Sequence, residues 1–138
     1  QPHLRELVNT RSNWGGWPIF ACKKPGKFAN GPLCLIGDAA HAMVPFGAQG
    51  GASAIEDAMV MAAECSRTPD DLPAAFQRFE TQRHRRVQNV MSLSRNNQSL
   101  YHMSAPLSWG RNAVMKAAKQ DRLQRRMDWL YGWEPPST

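Results

Sequence analysis

Leu33-Cys34-Leu35-Ile36-Gly37-Asp38-Ala39-Ala40-His41 leads through Pro45-Phe46-Gly47-Ala48-Gln49-Gly50-Gly51 to Ile55-Glu56-Asp57-Ala58. The apolar run at its start, bounded by turn formers, reads as a strand buried on both faces. Gly37-Asp38 then reads as a turn, and Pro45 to Gly51 as a glycine-rich loop that opens a helix. This order puts a carboxylate, Asp38, at a strand end and a row of free backbone N–H groups at a helix start. Gly47, Gly50 and Gly51 leave the backbone open to close approach, and N–H groups at a helix start favour negative charge. The arrangement suits a polar, partly anionic cofactor.

Downstream, the text from Gln49 to about Cys65 is helical and almost wholly apolar, interrupted only by Ser53, Glu56, Asp57 and Glu64. A helix of that kind is expected to be buried nearly all round, with Glu56 and Asp57 suiting the positive end of its dipole. Arg67 to Asp71 reads as a turn, in which Asp70 or Asp71 caps a second helix carrying Pro73 in its first turn. Leu72, Phe76, Phe79, Val87, Val90 and Met91 recur at helical spacing and carry that helix to about Met103, before Ala105-Pro106 breaks it. Asn112–Lys119 and Asp121–Tyr131 read as two more helices, stopped by Gly132 and Pro135-Pro136. Upstream, Leu4–Val8 reads as a helix end and Trp17–Ala21 as a short strand, separated from the central motif by a loop over residues 23–32. The expected fold class is therefore α/β, in a mostly helical fragment. Its lone buried strand needs neighbours that the chain does not supply.

The 138 residues suffice for one domain or part of a larger one, and 42% hydrophobic content supports a core. No apolar run is long enough to span a membrane, and no basic segment followed by an apolar one marks a signal peptide. A start at Gln1 rather than Met suggests a segment or a processed product. The net charge of +6 permits nucleic-acid binding. However, Arg78, Arg83, Arg85, Arg86, Arg95, Arg111 and the later cations fall in helical text and read as solvated faces. The run Arg83-His84-Arg85-Arg86 reads as a solvated or interdomain face. Cys22, Cys34 and Cys65 form no C-x-x-C pair, which argues against a zinc site or a disulfide framework. Cys34 and Cys65 read as small core residues, and a reducing cytoplasm fits this usage.

Gly37-Asp38-Ala39-Ala40-His41, Pro45, Gly47, Gln49-Gly50 and Glu56-Asp57-Ala58, at these spacings, resemble the second flavin-binding motif of the single-component FAD-dependent aromatic hydroxylases. That is the group of salicylate hydroxylase and para-hydroxybenzoate hydroxylase. Trp17-Pro18-Ile19 resembles the family's strand before the Gly-Asp turn. Tyr101-His102-Met103-Ser104 and Asp128-Trp129-Leu130-Tyr131-Gly132-Trp133 resemble the tail of its salicylate-hydroxylase-like members. The resemblance implies the C-terminal part of a FAD/NAD(P)-binding, Rossmann-like flavoprotein hydroxylase fold. Residues 1–66 would then hold the end of a substrate-domain strand, the FAD-binding motif and a buried helix, and residues 67–138 a C-terminal helical segment.

The implied reaction hydroxylates a small aromatic substrate with NAD(P)H and O2 on FAD. Gly37 and Asp38 would serve the ribityl chain. Gly47, Gly50, Gly51 and Ala52 would face the N1–C2=O edge of the ring. Pro45 and Gln49 would lie beside the substrate as the catalytic positions. The family's opening Gly-x-Gly-x-x-Gly turn and its central Asp-Gly motif do not occur in this sequence. The implied partner is therefore an N-terminal part of the same enzyme, with a homodimer of the full-length protein compatible with the resemblance.

Plainer readings stand beside these. Asp38 can simply cap the turn at Ala39. His41 lacks the third ligand that a metal shared with Asp38 would need, so it reads as a packed histidine and no metal site is expected. Gln49 can be no more than a polar helix-start residue, and Trp109, Trp129 and Trp133 read as core. Two rival functions remain: an epoxidase or oxidative decarboxylase of the same superfamily, and a basic helical module for nucleic acid or a partner protein.

Overall fold

The computed structural model describes residues 2–10 and 12–135 of the chain. Helix α1 (Pro2–Asn9) is followed by strands β1 (Ala29–Asn30) and β2 (Leu33–Cys34), then by the one-turn helix α2 (Asp38–His41). A 3-10 turn at Pro45–Gly47 leads into α3 (Gly50–Arg67) and the long α4 (Leu72–Tyr101). The tail holds α5 (Leu107–Ala117), α6 (Gln120–Arg125) and α7 (Asp128–Tyr131). Among the described residues, no helix is long and apolar enough to cross a membrane.

The α3–α4 hairpin is the frame. Asp71 starts α4: its carboxylate accepts the Ala74 N–H at 3.1 Å, and Pro73 occupies the first turn, where the missing N–H costs nothing. Along α4, Ala75, Phe79, Arg83, Val87 and Met91 are buried at every fourth position, the spacing that stacks side chains on one face. Phe79, Val87 and Met91 pack with Val60 of α3, Ala40 of α2 and Phe28, which precedes β1. The β1–β2 hairpin and the 3-10 turn, which flank the Gly-Asp turn on either side, both lie against α4. Cys34 packs beside this core. Burial, followed by the Glu80 carboxylate, pushes its thiol up to about 11, which keeps it neutral at pH 7.

Several expectations need correction. Residues 17–21 form no strand, and Trp17 and Phe20 are exposed, because no described strand offers them backbone partners. The run at Leu33–Ile36 is not buried on both faces. Only Leu33 and Cys34 pair, antiparallel to Asn30 and Ala29, so part of the expected loop is itself a strand. Leu33, Leu35 and Ile36 are exposed.

Helix α3 is not buried all round either. Its inward face is largely polar, made by Ser53, Glu56, Asp57 and Glu64 with Val60 among them, while Ile55 and Met59 face outward. In the tail, the first helix begins earlier than expected, at Leu107, and the second is split into α6 and α7. Trp109 is exposed rather than core, and Trp129 is largely exposed. Pro136, read as a helix stop, lies outside the described residues.

Candidate functional site

Gly37 begins the site. Its φ of 56° and ψ of −141° lie where L side chains are strained, and a Cβ there would stand 3.3 Å from the Ala54 methyl of α3. Its N–H donates to Asp57 Oδ2 at 2.9 Å. Asp38 follows as the first residue of α2. Its side chain is exposed and accepts no hydrogen bond among the described residues. The reading of Asp38 as a mere cap for the turn is therefore not supported: the carboxylate is free.

His41 closes α2 fully buried, with Nε2 2.6 Å from Asp57 Oδ2 and Nδ1 without a partner among the described residues. It is a packed histidine, as its sequence context suggested, but its partner lies on α3 and not at Asp38. Among the described residues, no group of three or more His, Cys, Asp or Glu side chains is placed to hold a metal ion.

Asp57 and Glu56 hold the buried centre. Arg83, 1% exposed, donates from Nε to Asp57 Oδ1 at 2.7 Å, and from its terminal nitrogens to Glu56 Oε2 at 2.6 Å and the Ser53 carbonyl at 3.2 Å. Arg86 also donates to both oxygens of Glu56, and to the carbonyls of Trp129 and Leu130 in the tail. The Trp133 ring lies under both guanidinium groups, with centroids 5.8 Å and 5.7 Å away.

Burial works to raise the Asp57 carboxyl. The bonds from His41, the Gly37 N–H and Arg83 outweigh it and hold the group below the usual carboxylate range. Burial likewise opposes Glu56, and Arg86 and Arg83 overcome it. A second cluster repeats the pattern further along the hairpin: Glu64 accepts from Arg67, Arg78 and Gln82, and its carboxyl is lowered against burial, chiefly by Arg78. Arg78, Arg83 and Arg86 are therefore not the solvated cations their sequence suggested. They compensate acids within this chain.

The loop side of the site rests on the far half of α4. Pro45 is exposed at the start of the 3-10 turn, and the Phe46 carbonyl accepts from Asn97 Nδ2 at 3.0 Å. A Cβ at Gly47 would collide with Ser94 Oγ and sit 3.5 Å from Ser94 Cβ. The glycine at 47 is thus accounted for by close packing on α4. Ala48 takes a left-handed conformation, φ 51°, which costs a non-glycine residue about 1–2 kcal/mol.

Gln49 stands at the N-cap of α3 without a side-chain capping bond. The N–H groups of Gly50, Gly51 and Ala52 meet no acceptor among the described residues, and the Cβ positions of Gly50 and Gly51 open onto free space. The sequence-read residues thus fall into two groups. Gly37, Asp38, Gly50, Gly51 and Ala52 are held by, or belong to, α3, whereas Pro45 and Gly47 belong to a turn seated on α4. Sequence reading missed Asp57, Arg83, Glu56 and Arg86 as supports, and Ser94 and Asn97 as the loop's seat.

Residues 22–94 match a family described as FAD binding domain. The chain is 30% identical over 132 residues to a 3-hydroxybenzoate 6-hydroxylase of Polaromonas naphthalenivorans (strain CJ2), covering 96% of this chain and 33% of that protein. It is 29% identical over 133 residues to a protein of the same name from Klebsiella oxytoca, covering 96% and 34%. It is 35% identical over 135 residues to a 3-amino-4-hydroxybenzoate 2-monooxygenase of Streptomyces platensis, covering 95% and 33%. The chain spans about a third of the length of these curated relatives.

Proposed function

Because the chain belongs to the FAD-binding-domain family, we propose that it forms the ribityl and ring-edge side of a flavin site in an aromatic-ring monooxygenase. One observation carries this reading: the start of α3. Among the described residues, three N–H groups there lack acceptors, two glycines leave the approach open, and no side chain caps the helix. Such a helix start favours an anionic or strongly polar group. The free carboxylate of Asp38 adds an acceptor on a turn fixed to the same helix. FAD, with ribityl hydroxyls that donate and a C2=O edge that accepts, fits both.

When bound, FAD supplies the redox chemistry that uses NAD(P)H and O2 to hydroxylate a ring. The chain's own part is to bind and orient. Asp38 accepts from a ribityl hydroxyl, and Gly50, Gly51 and Ala52 donate to the N1–C2=O edge. Pro45 and Gln49 border the substrate. The substrate class we propose is a hydroxybenzoate-like aromatic acid, in keeping with what the names of the relatives state for those proteins. The rest of the relatives' length would supply the pyrophosphate turn, most of the aromatic pocket and sheet neighbours for Leu33, Leu35 and Ile36. The exposure of those apolar side chains supports this division.

The rival of a basic nucleic-acid module is weakened because Arg78, Arg83 and Arg86 are already paired with Glu64, Asp57 and Glu56. The test uses the full-length protein carrying this chain. Purified protein is expected to hold FAD, to oxidise NADH or NADPH faster when 3-hydroxybenzoate is added, and to yield a product one oxygen heavier. Flavin-free protein, or oxidation indifferent to any hydroxybenzoate, would overturn the proposal.

A further inference from the structure

We infer that Asp57 is a positioning residue for Asp38: its carboxylate fixes the Gly37–Asp38 turn, and Arg83 fixes the carboxylate. The inference rests on the reading of Asp38 given under Proposed function. Asp57 never faces the open side of the site. It is fully buried, and each of its oxygens is used. Oδ2 takes the Gly37 N–H and lies against His41 Nε2, so it grips both ends of α2 at once. Oδ1 takes Arg83 Nε. Arg83 is locked in turn by Glu56 and the Ser53 carbonyl, both on α3.

A helix of a single turn has too few backbone bonds to hold its own orientation. Gly37 adds further freedom, since glycine alone adopts its backbone angles without strain. The direction of the exposed Asp38 side chain is therefore set from below by Asp57, through a bond at each end of the turn. Glu64 provides a natural contrast. It is equally buried and equally rich in donors on the same helix pair, yet its partners Arg67, Arg78 and Gln82 lie on α3 and α4 alone. Among the described residues, none of its hydrogen-bond partners lies on α2.

The experiment is a double-mutant cycle on FAD affinity in the full-length protein, with Asp57→Asn, Asp38→Ala and the pair, and Glu64→Gln as the control for stability. An amide at 57 cannot accept from both Gly37 and Arg83 as the carboxylate does. Asp57→Asn is expected to weaken FAD by about tenfold, a loss typical of one compromised charged hydrogen bond. In the Asp38→Ala background, the same change should cost less than about twofold, because coupled residues are not additive. Hydrogen exchange of the peptide spanning Gly37 should quicken in Asp57→Asn and not in Glu64→Gln, with or without flavin.

If Asp57→Asn gives no soluble protein, Arg83→Lys, which keeps the charge and loses the fork, carries the same cycle. Unchanged FAD affinity in Asp57→Asn would overturn the inference. So would an equal loss in both Asp38 backgrounds, or an equal loss in Glu64→Gln. Wild-type protein that binds no FAD would instead overturn the functional reading beneath it, and so is told apart from a failure at Asp57.

Discussion

Replacing Arg83 by Met removes the cation at the centre of the helix pair while keeping an unbranched side chain. The guanidinium is 1% exposed and donates to Asp57, Glu56 and the Ser53 carbonyl. Its loss leaves two buried carboxylates short of donors. Breaking one side of a buried ion pair costs about 3–5 kcal/mol. Glu56 keeps Arg86, and Asp57 keeps the Gly37 N–H and His41, so the expected loss lies near the lower end, about 3 kcal/mol.

The loss also depends on pH, with a definite sign. In the wild type, Asp57 and Glu56 sit below the usual carboxylate range. Their contribution is fully present above that range and disappears as pH falls through the lowered values. In Arg83→Met, burial is less opposed, both groups move upward, and they take up protons earlier on acidification. The difference between the two proteins should therefore narrow from pH 7 to about pH 4. The assay is urea unfolding of the full-length proteins, followed by circular dichroism at each pH. A loss under about 1 kcal/mol at pH 7, or one that stays constant down to pH 4, would refute the claim that Arg83 neutralises buried charge.

Gly47→Ala should cost about 1–3 kcal/mol through crowding against Ser94. Ser94→Ala should recover most of it, because Ser94 Oγ has no partner to lose among the described residues; denaturation midpoints of the single and double variants decide this. Gly50→Val places its Cβ in open space among the described residues, since nothing lies within 4 Å of that position. It should leave the fold intact and lower bound flavin, and normal flavin content would count against the placement of α3. Asp38→Ala should weaken FAD roughly ten- to a hundredfold with little change in unfolding midpoint, measured by flavin fluorescence titration. Glu64→Gln should flatten the acid limb of the stability curve, because a carboxyl held low in the folded state ceases to be one.

The helix pair was legible because its signals are local. Asp71 and Pro73 mark the start of α4, and Leu72, Phe79, Val87 and Met91 keep its period. The start of the central motif was legible because the positive φ of Gly37 admits few residues other than glycine, whereas the glycines at 50 and 51 open α3 with free space at their Cβ positions. The charged core was misread because an arginine or glutamate looks the same in sequence whether solvated or paired. A signal was present nonetheless: Arg83 sits midway between Phe79 and Val87 on the buried face of α4.

The spacing of the ion pairs was a second signal. The separation is 14 residues for Glu64 and Arg78, 26 for Asp57 and Arg83, and 30 for Glu56 and Arg86. Partners that separate steadily away from a turn are what two antiparallel helices require. Trp17–Ala21 and Leu33–Ile36 misled for another reason. Strand character depends on a neighbour, and among the described residues only Ala29 and Asn30 provide one. The tail failed at its boundaries, where weak periodicity between Leu107 and Tyr131 could not locate the break between α6 and α7.

The most direct test of the flavin site is a crystal structure of the full-length protein with FAD. The account predicts the Asp38 carboxylate within hydrogen-bond distance of a ribityl hydroxyl, and the N–H groups at the start of α3 directed at the N1–C2=O edge of the ring. A flavin bound elsewhere, with Asp38 and Gly50 to Ala52 facing only water, would contradict it.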